Sequence, residues 1–94
     1  MNFVSILYSK SLNKYYVGEA IDLQVRIKQH NSGFYETAYT KIAKDWTLYH
    51  SIACINRIQA RKIEIYMKKM QSKTYIQNLK SYPEITKRLK IKYN

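Results

Sequence analysis

Apolar and polar positions change period several times along the chain, and each change marks an element. Residues 3–8, Phe3-Val4-Ser5-Ile6-Leu7-Tyr8, are apolar, β-branched or aromatic and predict a first strand. Residues 9–14 are polar and include Asn13, which suits a turn. Tyr15-Tyr16-Val17 resumes the strand pattern and Gly18 ends it, so the two strands pair as a hairpin with a loop longer than the tightest kind. From Leu23 the period becomes helical. Leu23 and Ile27 share one face, Arg26 and His30, four apart, share another, Asp22 is a suitable cap and Asn31-Ser32-Gly33 a stop. Residues 34–45 show no period and read as a surface loop with at most a helical turn.

Residues 46–55 alternate, with Trp46, Leu48, His50, Ile52 and Cys54 on one side, and predict a third strand. Asn56 is placed to cap a helix over residues 57–70, whose core stripe is expected at Ile63, Met67 and Met70, broadened by Ile58, Ile65 and Tyr66. A short helix over 73–80 would pack Ile76 and Leu79. Pro83 suits the first turn of a last helix, with Glu84 at its positive end and Ile85 and Leu89 four apart. The expected architecture is α+β, a three-stranded antiparallel sheet flanked by helices in the order β-β-α-β-α-α with a final α. Residues 1–80 form the domain, and 81–94 a basic helical extension packed on it.

Composition narrows the partners. The 94 residues carry 17 Lys and Arg against 6 Asp and Glu, a net charge of +11, concentrated after residue 60. That is the footprint of a polyanion binder or of a solubilising lysine-rich surface. The 46% hydrophobic content and ten tyrosines oppose disorder. Cys54, the single cysteine, excludes an internal disulfide and reads as a small buried hydrophobe. No signal-peptide pattern and no apolar run near the ~20 residues of a membrane span occur, so the expected setting is cytoplasmic, without a membrane partner.

With these elements placed, the chain resembles a small single-domain member of the GIY-YIG endonuclease superfamily. The matching stretches are ILYSKSLNKYYVG for the hairpin, DLQVRIKQHNSG for the arginine-bearing helix, AYTK and DWTLYHS for the loop and third strand, Ala60 and Glu64 as AxxxE, and KKMQSKTYIQNL for the closing helices. The similarity runs in order over residues 3–80. It implies a metal-dependent DNA endonuclease that hydrolyses phosphodiesters with Mg²⁺ or Mn²⁺. By the same resemblance Tyr16 is the second motif tyrosine, Arg26 the phosphate-binding arginine, His30 the helix histidine and Glu64 the metal ligand. The chemistry fits. One carboxylate with water and substrate oxygens can hold a hard cation, a guanidinium fork holds two phosphate oxygens, and an imidazole is the better base near neutral pH.

Two positions depart from the pattern. Ser5 stands where the first motif tyrosine falls, and Tyr8, an odd number of residues away, points to the opposite side of a regular strand. Glu19 follows the motif glycine and would repel a phosphate unless it pairs with Arg26 or joins the metal. These departures motivate the alternative of a catalytically inactive module that binds nucleic acid or protein. Lys28, Lys41, Lys44, Lys68, Lys69 and Lys73 are candidate backbone contacts. Each site residue has a plainer alternative: a solvated Arg26, a His30 that closes its helix as a cation, a Glu64 paired with Lys68, a Tyr16 that only packs. Sequence selectivity would come from substrate structure, a protein partner or a homodimer mate.

Overall fold

The computed structural model describes residues 2–32, 43–70 and 72–94. The hairpin pairs β1 (Asn2–Ser9) with β2 (Lys14–Ala20) antiparallel, Ser5 opposite Gly18 and Leu7 opposite Tyr16. Asn13 takes the turn position at φ 52°, a left-handed conformation that asparagine tolerates better than most residues. Helix α1 (Leu23–Asn31) starts where the Asp22 carboxylate accepts from the amides of Gln24 and Val25. After β3 (Trp46–Cys54) come α2 (Arg57–Met70), α3 (Lys73–Ser81) and α4 (Pro83–Lys92). Asn56 Oδ1 accepts from the Gln59 amide and Ser72 Oγ from the Tyr75 amide at the starts of α2 and α3, and Pro83 opens α4. The sheet order is β2-β1-β3, with β1 central and both pairings antiparallel. This is the α+β arrangement expected from the pattern.

Two apolar clusters fill the two faces of the sheet. On one, Val4, Ile6, Val17, Ile52 and Cys54 meet Ala60, Ile63 and Met67 of α2, Ile76 and Leu79 of α3, and Leu89 of α4. On the other, Leu7, Ala43 and Trp46 pack with Leu12, Tyr16 and Ile27. Unbroken alternation in β3 had put Trp46 and Ile52 on one side. A register shift between Ile6 and Leu7 moves the β1 partner from His50 to Leu48, skips Tyr49, and sends Trp46 to the α1 face while Ile52 stays on the α2 face. An extra strand residue of this kind reverses the facing of everything beyond it.

The stripe of α2 also differs from expectation. Ile63 and Met67 are buried, but the inner row is completed by Ala60, while Ile58 (66% exposed), Ile65 and Met70 face outward. Helical spacing puts Ala60 three residues before Ile63 on the same face, and a small side chain lets the helix sit close to the sheet.

Asn31 joins α1 to β3: its Nδ2 donates to Trp46 O at 2.9 Å and its Oδ1 accepts from the Trp46 amide at 2.7 Å. Asp45 accepts from Ser9 Oγ (2.7 Å) and from both the amide and hydroxyl of Ser11, which holds its carboxyl below the usual range. The reading of 34–45 as loop falls largely outside the described residues.

Candidate functional site

β2 is an outer strand, with α1 over one face of the sheet and α2 over the other, so side chains from both helices meet along its edge. A cleft of about 530 Å³ opens at the Glu19–Ala20 end, lined by Arg26 and Gln29 of α1 and by Arg57, Arg61, Glu64 and Lys68 of α2. A second of about 530 Å³ opens at the Lys14–Val17 end, lined also by Met67, Lys68, Ser72, Lys73 and Ile76. Gly18 lies between the two stretches of strand, and Lys68 lines both clefts.

The Arg26 side chain is admitted by Gly18. A methyl group there would sit 2.9 Å from Arg26 Nη2 and 3.3 Å from Tyr16 Cε1, tighter than ordinary contact. The missing Cβ is therefore what lets the guanidinium cross the strand beside the phenol. Opposite, Ser5 is 1% exposed and its Oγ donates to Gly18 O at 3.1 Å. Its hydroxyl is committed to the sheet backbone, and Ser5 lines neither cleft. Tyr8 packs on Tyr15, ring centroids 4.9 Å apart, on the face opposite Tyr16, as strand parity required.

His30 is 1% exposed, its ring 4.7 Å from that of Tyr16 and 6.3 Å from that of Trp46. Burial, and secondarily the Arg26 charge, lower its pKa to about 4. The imidazole is neutral at neutral pH, so it is not the helix-ending cation that its position in the last turn allowed. Arg26 and His30 form the inward row of α1 rather than a solvated one.

Glu64 is nearly buried, and its Oε1 lies 3.4 Å from Lys68 Nζ, the i, i+4 pair its spacing allows. Glu19 Oε1 accepts from Arg57 Nε at 3.2 Å and lies 3.7 Å from Arg61 Nη1. Arg57 and Arg61 were not among the residues singled out from sequence. The signal was present, since Arg57, Arg61, Glu64 and Lys68 fall at i, i+4, i+7 and i+11, a polar row beside the apolar one.

Of the candidate phosphate contacts, Lys68 and Lys73 line the second cleft, with Lys68 Nζ 5.6 Å from the Tyr16 ring centroid. Lys28, Lys44 and Lys69 are exposed and line neither cleft. Lys41, with Tyr39 and Thr40, lies outside the described residues.

Among the described residues no group of three or more His, Cys, Asp or Glu side chains is arranged to hold a metal. Glu64 lines a cleft that also holds Glu19, Asp22 and three arginines, with Glu19 paired to two of those arginines, so Glu64 is the carboxylate on offer beside Arg26. One such carboxylate fits a hard, oxygen-preferring cation that keeps several waters and takes substrate oxygens as further ligands, and it does not fit a metal needing a full protein cage. No helix among the described residues is long and apolar enough to cross a membrane.

A family model described as the GIY-YIG catalytic domain matches residues 1–79. A "UPF0213 protein" of Syntrophus aciditrophicus (strain SB) is 31% identical over 83 residues, covering 88% of this chain and 94% of that relative. No solved structure matches the chain significantly.

Proposed function

The chain belongs to the GIY-YIG family, and from that membership we propose that it is a metal-dependent DNA endonuclease hydrolysing phosphodiester bonds. The observation that carries the proposal is the meeting of Arg26 and Glu64 in one cleft, with Tyr16 at the adjoining cleft and, like the Arg26 guanidinium, next to Gly18. These three groups come from a strand, a helix and a second helix 38 residues further on than Arg26, and the edge of β2 collects them.

Arg26 binds the scissile phosphate through its planar fork and stabilises charge as it builds on the phosphoryl oxygens. Glu64 would hold Mg²⁺ or Mn²⁺, which would supply Lewis-acid polarisation of the phosphate and stabilise the leaving oxygen. Tyr16 orients the attacking water. His30, buried behind Tyr16, is a positioning residue: it fixes the phenol ring and takes no proton near neutral pH. Lys68, between Glu64 and the Tyr16 ring, steers the backbone of the strand.

Purified protein with plasmid and single-stranded DNA in Mg²⁺ or Mn²⁺ tests this. Nicking that disappears in Glu64→Gln and in Arg26→Ala, while both variants keep the wild-type melting temperature, is the expected result. Cleavage unchanged by both substitutions would overturn it. The Ser5 hydroxyl given over to Gly18 O and the Glu19 carboxylate given over to arginines favour one second reading, an inactive binding module. Binding without cleavage in either metal would establish that module instead.

A further inference from the structure

The two clefts are chemically different. The first is ringed by charge and holds Glu19, Asp22 and Glu64 as well as three arginines. The second has no acidic residue in its lining. Val17, Met67 and Ile76 are its apolar lining, Tyr15 and Tyr16, from the two faces of β2, its aromatic lining, and Lys14, Lys68 and Lys73 its cations. Lys14 and Lys73 are exposed, and Lys73 Nζ reaches the hairpin turn, donating to Asn13 O at 2.8 Å. Its volume falls within the ~300–1,000 Å³ of small-molecule sites. At ~3.3 Å per strand residue, the β2 residues that line it are centred ~13 Å along the strand from those that line the first cleft, with Arg26 over Gly18 in between.

We infer that this second cleft binds an unpaired nucleotide on the same strand as the phosphate at Arg26, so that the preferred ligand is single-stranded or locally melted nucleic acid rather than intact duplex. The location of the cleaved phosphate rests on the nuclease reading above; the nucleotide site itself rests on the cleft. A nucleotide has the matching two-part chemistry, a flat apolar base with a π-face and an anionic phosphate. A cleft lined by apolar and aromatic side chains takes a base only when its face is unstacked, whereas duplex DNA offers phosphates and groove edges. An acidic peptide would engage the lysines and leave the apolar lining uncovered. Lys68 lines both clefts, so one strand can lie along β2 with a phosphate at Arg26 and a base in the second cleft.

The test uses wild-type protein in chelator, where nothing is cut. Fluorescence anisotropy with a labelled oligonucleotide, single-stranded or annealed to its complement, should show the single strand bound at least about tenfold more tightly. Amide NMR shifts on titration with thymidine monophosphate should appear at residues 14–17 and 72–76, and deoxyribose 5-phosphate at the same concentration should move them much less. Lys73→Glu, at an exposed position, should weaken the single strand about tenfold and leave the melting temperature unchanged. Equal affinity for duplex, or equal shifts from the sugar phosphate and the nucleotide, would overturn the inference, the second by showing that the cleft reads phosphate alone. The nuclease reading fails separately, by cleavage that survives Glu64→Gln. A protein that cuts nothing and still shows base-dependent shifts keeps the nucleotide site and loses the nuclease.

Discussion

At Gly18 a single hydrogen in place of a methyl decides whether Arg26 reaches the cleft. Gly18→Ala should place a carbon 2.9 Å from Arg26 Nη2, and the end of a long side chain moves more easily than a strand does. The expected outcome is a stability change within about 1 kcal/mol by urea denaturation, together with a loss of cleavage of at least about tenfold as the guanidinium is displaced. His30 gives a second test at this scale. Its folded pKa of about 4 lies below the unfolded value near 6.5, so between those pH values the unfolded chain binds more protons. Stability is therefore whole above pH 6.5 and falls as pH drops toward 4, by an amount of order 3 kcal/mol from this residue. Thermal melts should show that fall in the wild type and a flatter profile in His30→Phe. The same shift predicts that the pH–rate profile carries no ionisation of His30 between pH 5 and 8.

Among the elements, α2 sets the geometry of the site because it has two jobs on adjacent rows. Ala60, Ile63 and Met67 seat it on the sheet, and Arg57, Arg61, Glu64 and Lys68 face the edge of β2. Seating the apolar row fixes the rotation of the helix and hence the place of Glu64. α4 contributes from beyond the family match, which ends at residue 79. Leu89 is 5% exposed within the larger cluster, and Gln59 Nε2 of α2 donates to Lys90 O at 3.0 Å. Leu89→Ala should cost about 2–4 kcal/mol in denaturant unfolding, a value in the core range despite its place five residues from the C-terminus. A cost near zero would mean that α4 is an appendage.

For the molecule as a whole, a charge of +11 on 94 residues makes salt the strongest control on nucleic-acid affinity. If Arg26, Lys14, Lys68 and Lys73 each neutralise a phosphate of a single strand, log K should fall against log salt with a slope of about −3. Lys73→Ala should then reduce the slope by somewhat under one, while alanine at Lys28, which lines neither cleft, should leave it unchanged. Titrations at several salt concentrations check both. A slope insensitive to Lys73 would assign the charge to general solubility.

The elements and their order were legible because local rules govern them. Period distinguishes strand from helix, Asp22, Asn56 and Ser72 sit where helix amides need acceptors, and Asn13 takes the backbone conformation that most residues avoid. The motif stretches were legible as well, being contiguous. Rotation and reach were not. A one-residue bulge in β3 moved Trp46 to the other face, and no local pattern announces it. Spacing puts Arg26 and His30 on one face of α1 but does not say which way that face turns; the gap over Gly18 and the rings of Tyr16 and Trp46 make a place for them on the inside. The partners of Glu19 follow from how close α2 comes to β2, a distance set by packing between residues far apart in the chain. By itself the sequence determined which segments are strands and helices and marked candidate residues for the chemistry. Only the tertiary structure decided which of those residues share a cleft, because that depends on the facing of each element, and facing is settled by the joint packing of the two faces of the sheet.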